Sequence, residues 1–199
     1  LTMRMAPRTL SRFKLKQRRR KNPEARILIA SDIEQDPLLT LAKTNIATFE
    51  RLAADLYDVH WPVWRAHGGV QISLQFLDET RMAEVNSEYR QTHAPTDVLS
   101  FPLFEKEGRF VPDAQLPPLL LGDIVVCPAV IRKNAVERRV SEESELALVV
   151  FHGILHLLAW DHDTPEKQER MWSVQEHFRD LFLKGLSGPV AGNAAHERK

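Results

Sequence analysis

His152, His156 and His162 stand at the spacing H-x3-H-x5-H in the segment FHGILHLLAWDHD. A helix advances about 100° per residue, so positions four apart share a face, about 40° from each other. His152 and His156 can therefore hold one metal ion between them. His162 falls beyond the predicted helix end and can fold back as the third ligand. Three protein nitrogens with one open position describe a catalytic zinc site rather than a closed structural one. Neutral imidazole suits zinc, and nickel or copper would also bind such a set. The run from Leu146 to Leu158 is apolar nearly all round, the mark of a buried helix. Unpartnered imidazoles on a buried helix are costly, so either a shared metal ion or hydrogen bonds within the core must satisfy them.

The same histidine spacing occurs in the metzincin peptidases, H-E-x-x-H-x-x-G-x-x-H, where the Glu after the first His is the general base. Here Gly153 holds that position and has no side chain to move a proton. A second group with chemical potential lies in NSEYRQTHAPTDVLSFP, residues 86–102. Arg90 follows a predicted helix and precedes a turn at Ala94-Pro95. Its planar fork matches phosphate oxygens in a bidentate way; the alternative is an ion pair with Asp97 or a helix-end charge. Thr96 and Asp97 either line a site or cap a turn, and Ser100 faces either solvent or the site. Gly122-Asp123 interrupts an apolar strand, and a buried carboxylate needs partners. Asp123 either orients a ligand histidine through its second nitrogen or serves as a helix cap or a hydrogen-bond partner for the backbone. Asp161, beside the third histidine, is read as structural or as a proton carrier.

The elements that must position these groups follow from the hydrophobic period. Residues 25–30 (ARILIA) read as a first strand. Residues 37–60 have helical periodicity, opened by Asp36-Pro37. Gly68-Gly69 breaks the chain, and residues 70–77 (VQISLQFL) alternate as a half-buried strand. Asp78 caps a helix running to about Arg90, and residues 97–102 form a strand. Residues 105–118 read as loop, and 119–126 as a buried strand. Pro128 opens a helix to about Arg139. Ser141 is an N-cap for the histidine-bearing helix, whose first turn holds Glu142 and Glu143, favoured there by the helix dipole. Thr164-Pro165 opens a last helix over residues 166–183. Strands and helices mix without regular βαβ alternation, so the expected class is α+β: one domain, with a small mixed sheet packed by about five helices and the metal site on a buried helix.

Length and composition bound the rest. A chain of 199 residues with 43% hydrophobic content makes one domain, here expected over residues 24–184. The single cysteine, Cys127, excludes an intramolecular disulfide and any multi-cysteine zinc site, and its apolar neighbours suggest a buried, inert thiol. No apolar run approaches the roughly 20 residues needed to span a membrane, and no signal-peptide pattern is present. The formal net charge of zero hides an asymmetry. Residues 1–23 hold nine of the 27 Lys and Arg and none of the 27 Asp and Glu, leaving 18 basic against 27 acidic residues elsewhere. Such a basic arm is expected to be disordered and either attracts nucleic acid, serves as an organellar transit peptide, or is a solvated tail. Residues 185–199 read as a frayed C-terminal tail.

Taken together, the motifs resemble those of the YbeY family of metal-dependent endoribonucleases, which mature ribosomal RNA. The family pattern H-G-x-L-H-L-x-G-x-D-H is met by His152, Gly153, Leu155, His156, Leu157, Asp161 and His162, with Ala159 in place of the usual Gly. Asn86, Tyr89, Arg90 and the run from Pro95 to Pro102 match a second motif, and Leu121-Gly122-Asp123-Ile124 a third. The likeness spans about Leu77 to Glu176. It implies one zinc ion per chain on His152, His156 and His162, and a requirement for Arg90 in RNA cleavage. It also implies single-stranded ribosomal RNA as substrate, in ribosomal RNA processing and ribosome quality control. The implied partner is the small ribosomal subunit or an assembly factor, with no membrane. The implied place is the cytoplasm, or an organelle if residues 1–23 are a transit peptide. Two other readings keep the metal: a ribosome- or RNA-binding assembly factor without turnover, and a metallopeptidase that must find a base other than Gly153. Ala159 is strained if its φ is positive.

Overall fold

The alternation Val70, Ile72, Leu74, Phe76 buries every second side chain of a strand at the centre of a four-stranded sheet. The structure, a computed structural model, describes residues 23–112 and 117–187. The expected basic arm therefore lies outside the described residues except for Pro23, and the expected tail except for residues 185–187. The sheet runs β1 (Ala25–Ser31), β2 (Val70–Phe76), β6 (Leu119–Val126), β3 (Val98–Pro102). The first three strands are parallel, and β3 is antiparallel to β6. Within residues 105–118, expected as loop, β4 (Glu105–Lys106) and β5 (Arg109–Phe110) pair as a small hairpin.

The helices are α1 (Pro37–Thr44), α2 (Ile46–His60), α3 (Glu79–Arg90), α4 (Pro128–Arg138), α5 (Glu142–Leu157) and α6 (Pro165–Leu186), with a 3-10 turn at Trp64–His67. The single helix expected over residues 37–60 is broken. Asn45 leaves helical geometry at φ −104°, ψ 18°, and its side-chain amide donates to the Leu41 carbonyl, satisfying the end of α1. The other expected starts hold. Asp36, Asp78, Ser141 and Thr164 each accept a backbone N–H at the head of a helix. The mixed sheet in one α+β domain is as expected.

Helix α5 is the pillar of the core. Its buried residues run from Ser144 to Leu157 with few breaks, and it packs on β3 and β6 between α4 and α6. Gly153 makes that approach possible: a Cβ there would lie 2.8 Å from Ile124 Cγ2 on β6. Gly122 sits beside a register shift in the β2–β6 pairing, with φ of 143°, and a Cβ there would collide with the Phe101 carbonyl oxygen. The two glycines let a helix carrying histidines lie close on the sheet. Behind it, Phe49 of α2 stacks on Phe182 of α6 at 4.2 Å and faces Phe151 of α5 at 5.8 Å. A second, smaller cluster, Leu77, Met82, Leu99, Val125 and Cys127, seats α3 against the opposite face of β3 and β6. Cys127 is fully buried, and burial pushes its thiol up.

Candidate metal centre and its cleft

The three histidines converge. Their candidate ligand atoms all lie within 4.8 Å of one another. His152 and His156 occupy the last two turns of α5, and their Nε2 atoms are 3.0 Å apart. Two nitrogens each about 2.0–2.1 Å from a tetrahedral zinc ion would stand roughly 3.4 Å apart, so the pair needs only a small adjustment. The helix ends at Leu157, and Ala159 turns the chain at φ 56°. The Trp160 N–H then donates back to the Leu155 carbonyl. Asp161 Oδ1 accepts the His162 backbone N–H at 2.7 Å, which gives Asp161 a structural place beside the third imidazole. This turn folds His162 back until its ring centroid is 5.6 Å from that of His152 and 5.3 Å from that of His156.

The tautomers suit a metal. His152 Nδ1 lies 2.8 Å from Gln175 Oε1 on α6. An amide oxygen can only accept, so Nδ1 carries the proton and Nε2 presents its lone pair. Burial pushes the His152 imidazole below its usual range, with the nearby His162 adding to the effect against the bond to Gln175. Burial, then the charges of His152 and His162, hold His156 down to about 4. Both rings are thus kept neutral, the form that binds metal. The orienting role considered for Asp123 does not fall to it at His152: that ring's second nitrogen meets Gln175. Asp123 lies on β6 across from Phe101 and Ser73 and does not line the cleft. Gln175 was missed in the sequence, yet it left a trace there: a lone amide in the stripe Met171, Phe178, Phe182, the buried face of α6.

The cluster opens into a cleft of about 670 Å³ between the α3–β3 connection, α5 and α6. Arg90, Thr96, Asp97 and Ser100 all line it, so Ser100 faces the site rather than away from it. Arg90, the last residue of α3, is exposed and close enough for its charge to act on His152. The alternative ion pair with Asp97 is not formed. Asp97 instead accepts from the Val98 N–H at 2.9 Å, the Thr96 hydroxyl at 3.1 Å and the Asn134 amide at 3.1 Å, so it caps the turn. Buried Asn86 donates to the Ala94 carbonyl at 2.7 Å and pins the connection after Arg90. Deeper in the cleft, Glu145 is buried and bonded to Arg138 at 2.8 Å, and burial pushes its carboxyl up. Glu145, Arg138, Arg179 and Trp172 line the cleft too, and none was singled out in the sequence. Among the described residues no helix is long and apolar enough to cross a membrane.

Residues 39–182 match the family model described as Endoribonuclease YbeY. Among similar proteins, Endoribonuclease YbeY of Mycobacterium ulcerans is 33% identical over 153 residues, 76% of this chain and 82% of that protein. Endoribonuclease YbeY of Beutenbergia cavernae is 33% identical over 158 residues, 79% of this chain and 99% of that one. The solution structure of TM1509 from Thermotoga maritima superposes with a TM-score of 0.55 at 26% identity, covering 86% of this chain and 99% of that one.

Proposed function

The chain belongs to the YbeY family, and on that premise we propose that it is a zinc-dependent, single-strand-specific endoribonuclease acting in ribosomal RNA maturation. The observation that carries this reading is the convergence of His152, His156 and His162 in the same cleft as the exposed Arg90, which has no ion-pair partner among the described residues. Bound there, zinc would supply Lewis acidity toward a phosphoryl oxygen and a lowered pKa for a water molecule, about 7 in known sites. The chain's own residues do the rest. Gln175 fixes the His152 tautomer, and the Ala159 turn delivers His162. The Arg90 guanidinium neutralises charge developing on the phosphate. Asp97, Thr96 and Asn86 hold the connection from which Arg90 projects.

A peptidase of the H-E-x-x-H kind is disfavoured by packing as well as by composition, since any Cβ at position 153 would press on Ile124. An open cleft flanked by guanidinium groups suits a splayed single strand, whose backbone can enter where a duplex cannot. The excess of acid outside residues 1–23 leaves longer-range attraction of RNA to that basic arm or to a partner on the small ribosomal subunit, within the cytoplasm. The test is a paired assay: zinc-loaded protein with labelled single-stranded RNA and with casein, beside His156→Ala. RNA fragments from the wild type alone, with casein intact, are the expected result. Casein cleavage would overturn the reading in favour of a peptidase, and RNA binding without turnover in favour of an assembly factor.

A further inference from the structure

Trp172 stands apart from the other tryptophans. Trp61 and Trp64 are buried, and Trp160 is clasped by the edge of His60 at 4.9 Å and the Arg170 guanidinium at 4.5 Å. Trp172 is 48% exposed. Among the described residues no ring, cation or hydrogen-bond partner engages its indole. It nevertheless lines the histidine cleft, at the rim where α6 passes α5. An exposed indole without a partner is an apolar surface left in water, and burying one face of it is favourable.

Its position is set by the helix. Met171, Gln175, Phe178 and Phe182 turn into the core, and Trp172, Glu176 and Arg179 lie on the adjoining face along the cleft. Trp172 precedes Gln175 by three residues, a rise of about 4.5 Å, and Gln175 grips His152. The indole is therefore within one helical turn of the residue that steadies the metal cluster. Exposed Glu169 and Glu176, at i−3 and i+4, flank it on the helix surface. Their charges oppose a phosphate over the indole and leave room for an uncharged ring.

Resting on the endoribonuclease reading above, we infer that Trp172 is a stacking platform for a base of the single-stranded RNA whose phosphate lies at the histidine cluster and Arg90. Stacking on an exposed aromatic ring is tolerant of sequence, because every base offers a flat π-face. The platform thus gives the cleft a preference for unpaired nucleotides and little preference among bases. Backbone contacts then fall to Arg90, and base contacts to Trp172.

The experiment compares zinc-loaded wild type, Trp172→Ala and Trp172→Phe on a single-stranded RNA oligonucleotide and on an abasic ribose-phosphate oligomer of equal length, by kcat/KM and by equilibrium binding. Trp172→Ala is expected to lower kcat/KM and affinity for the RNA about tenfold. Trp172→Phe should recover most of that loss, and all three proteins should bind the abasic oligomer alike. Zinc content and melting temperature should not move, because the side chain is exposed. Equal affinity of wild type and Trp172→Ala for the RNA overturns the inference and leaves the indole as a contact for a protein. A tenfold loss shared by the abasic oligomer also overturns it, since the effect would then lie in the backbone path. If the wild type cleaves nothing, the endoribonuclease reading fails, and the binding comparison still decides the stacking.

Discussion

The metal half and the phosphate half of the cleft are held by different means. His152 and His156 rise from a helix embedded in the core, and the His152 ring is gripped from a second helix by Gln175. Arg90 ends a helix at the surface and has no ion-pair partner among the described residues; only its connection is pinned, through Asn86 and Asp97. The metal half is thus preorganised by packing and the phosphate half by backbone anchorage. Rigidity belongs where ligand atoms must meet within tenths of an ångström, and reach belongs where a mobile polyanion must be caught. Perturbing the first half should change metal affinity, and perturbing the second should change turnover.

The largest separation of the two halves is expected from Arg90→Lys. Lys keeps the charge but loses the two-pronged geometry, so kcat/KM for RNA should fall at least tenfold, about 1.4 kcal/mol of transition-state stabilisation. Zinc content and melting temperature should be those of the wild type. Turnover within a factor of about two would mean that Arg90 makes no bidentate contact that matters. Gln175→Leu should do the reverse. Removing the acceptor frees the His152 tautomer, and zinc affinity in a chelator competition should weaken roughly tenfold or more. An unchanged affinity would show that packing alone orients that ring.

The two half-buried imidazoles also set a pH dependence. The folded His156 is held down to about 4 by burial and its histidine neighbours, whereas the unfolded chain protonates near the ordinary value of about 6.5. The unfolded state therefore binds more protons between these values, and stability rises with pH there. Metal-free protein should keep this contribution above about pH 6.5 and lose it as pH falls toward about 4. Thermal melts across that window should show the fall, and His156→Gln should flatten it; a flat wild-type profile would contradict the burial argument. The smallest effect concerns the turn. Ala159 adopts φ 56°, a region that costs a non-glycine residue about 1 kcal/mol. Ala159→Gly should raise stability by about 1 kcal/mol in denaturant titration with zinc content unchanged. A loss of stability would mean that the Ala159 methyl packs more than it strains.

Periodicity made the strand β2, the buried helix α5 and the helix starts readable, because each depends on local spacing or a local cap. The histidine set was legible for the same reason: two ligands share a face, and the third follows the helix end. What escaped depends on neighbours distant in sequence. The Asn45 break hides inside an unbroken apolar period that both α1 and α2 satisfy. The choice of Gln175 over Asp123 as the partner of His152 rests on α6 crossing α5, which no local pattern encodes. Glu145 and Arg138 meet only because α4 and α5 are packed side by side. The hairpin of β4 and β5 is too short for any period to mark it.

The three-histidine site is tested by the elemental content of purified wild type, His156→Ala and Arg90→Lys. One zinc ion per chain is expected in the wild type and in Arg90→Lys, and close to none in His156→Ala, because two imidazoles are left where three converge. Equal zinc in wild type and His156→Ala would contradict the three-histidine site.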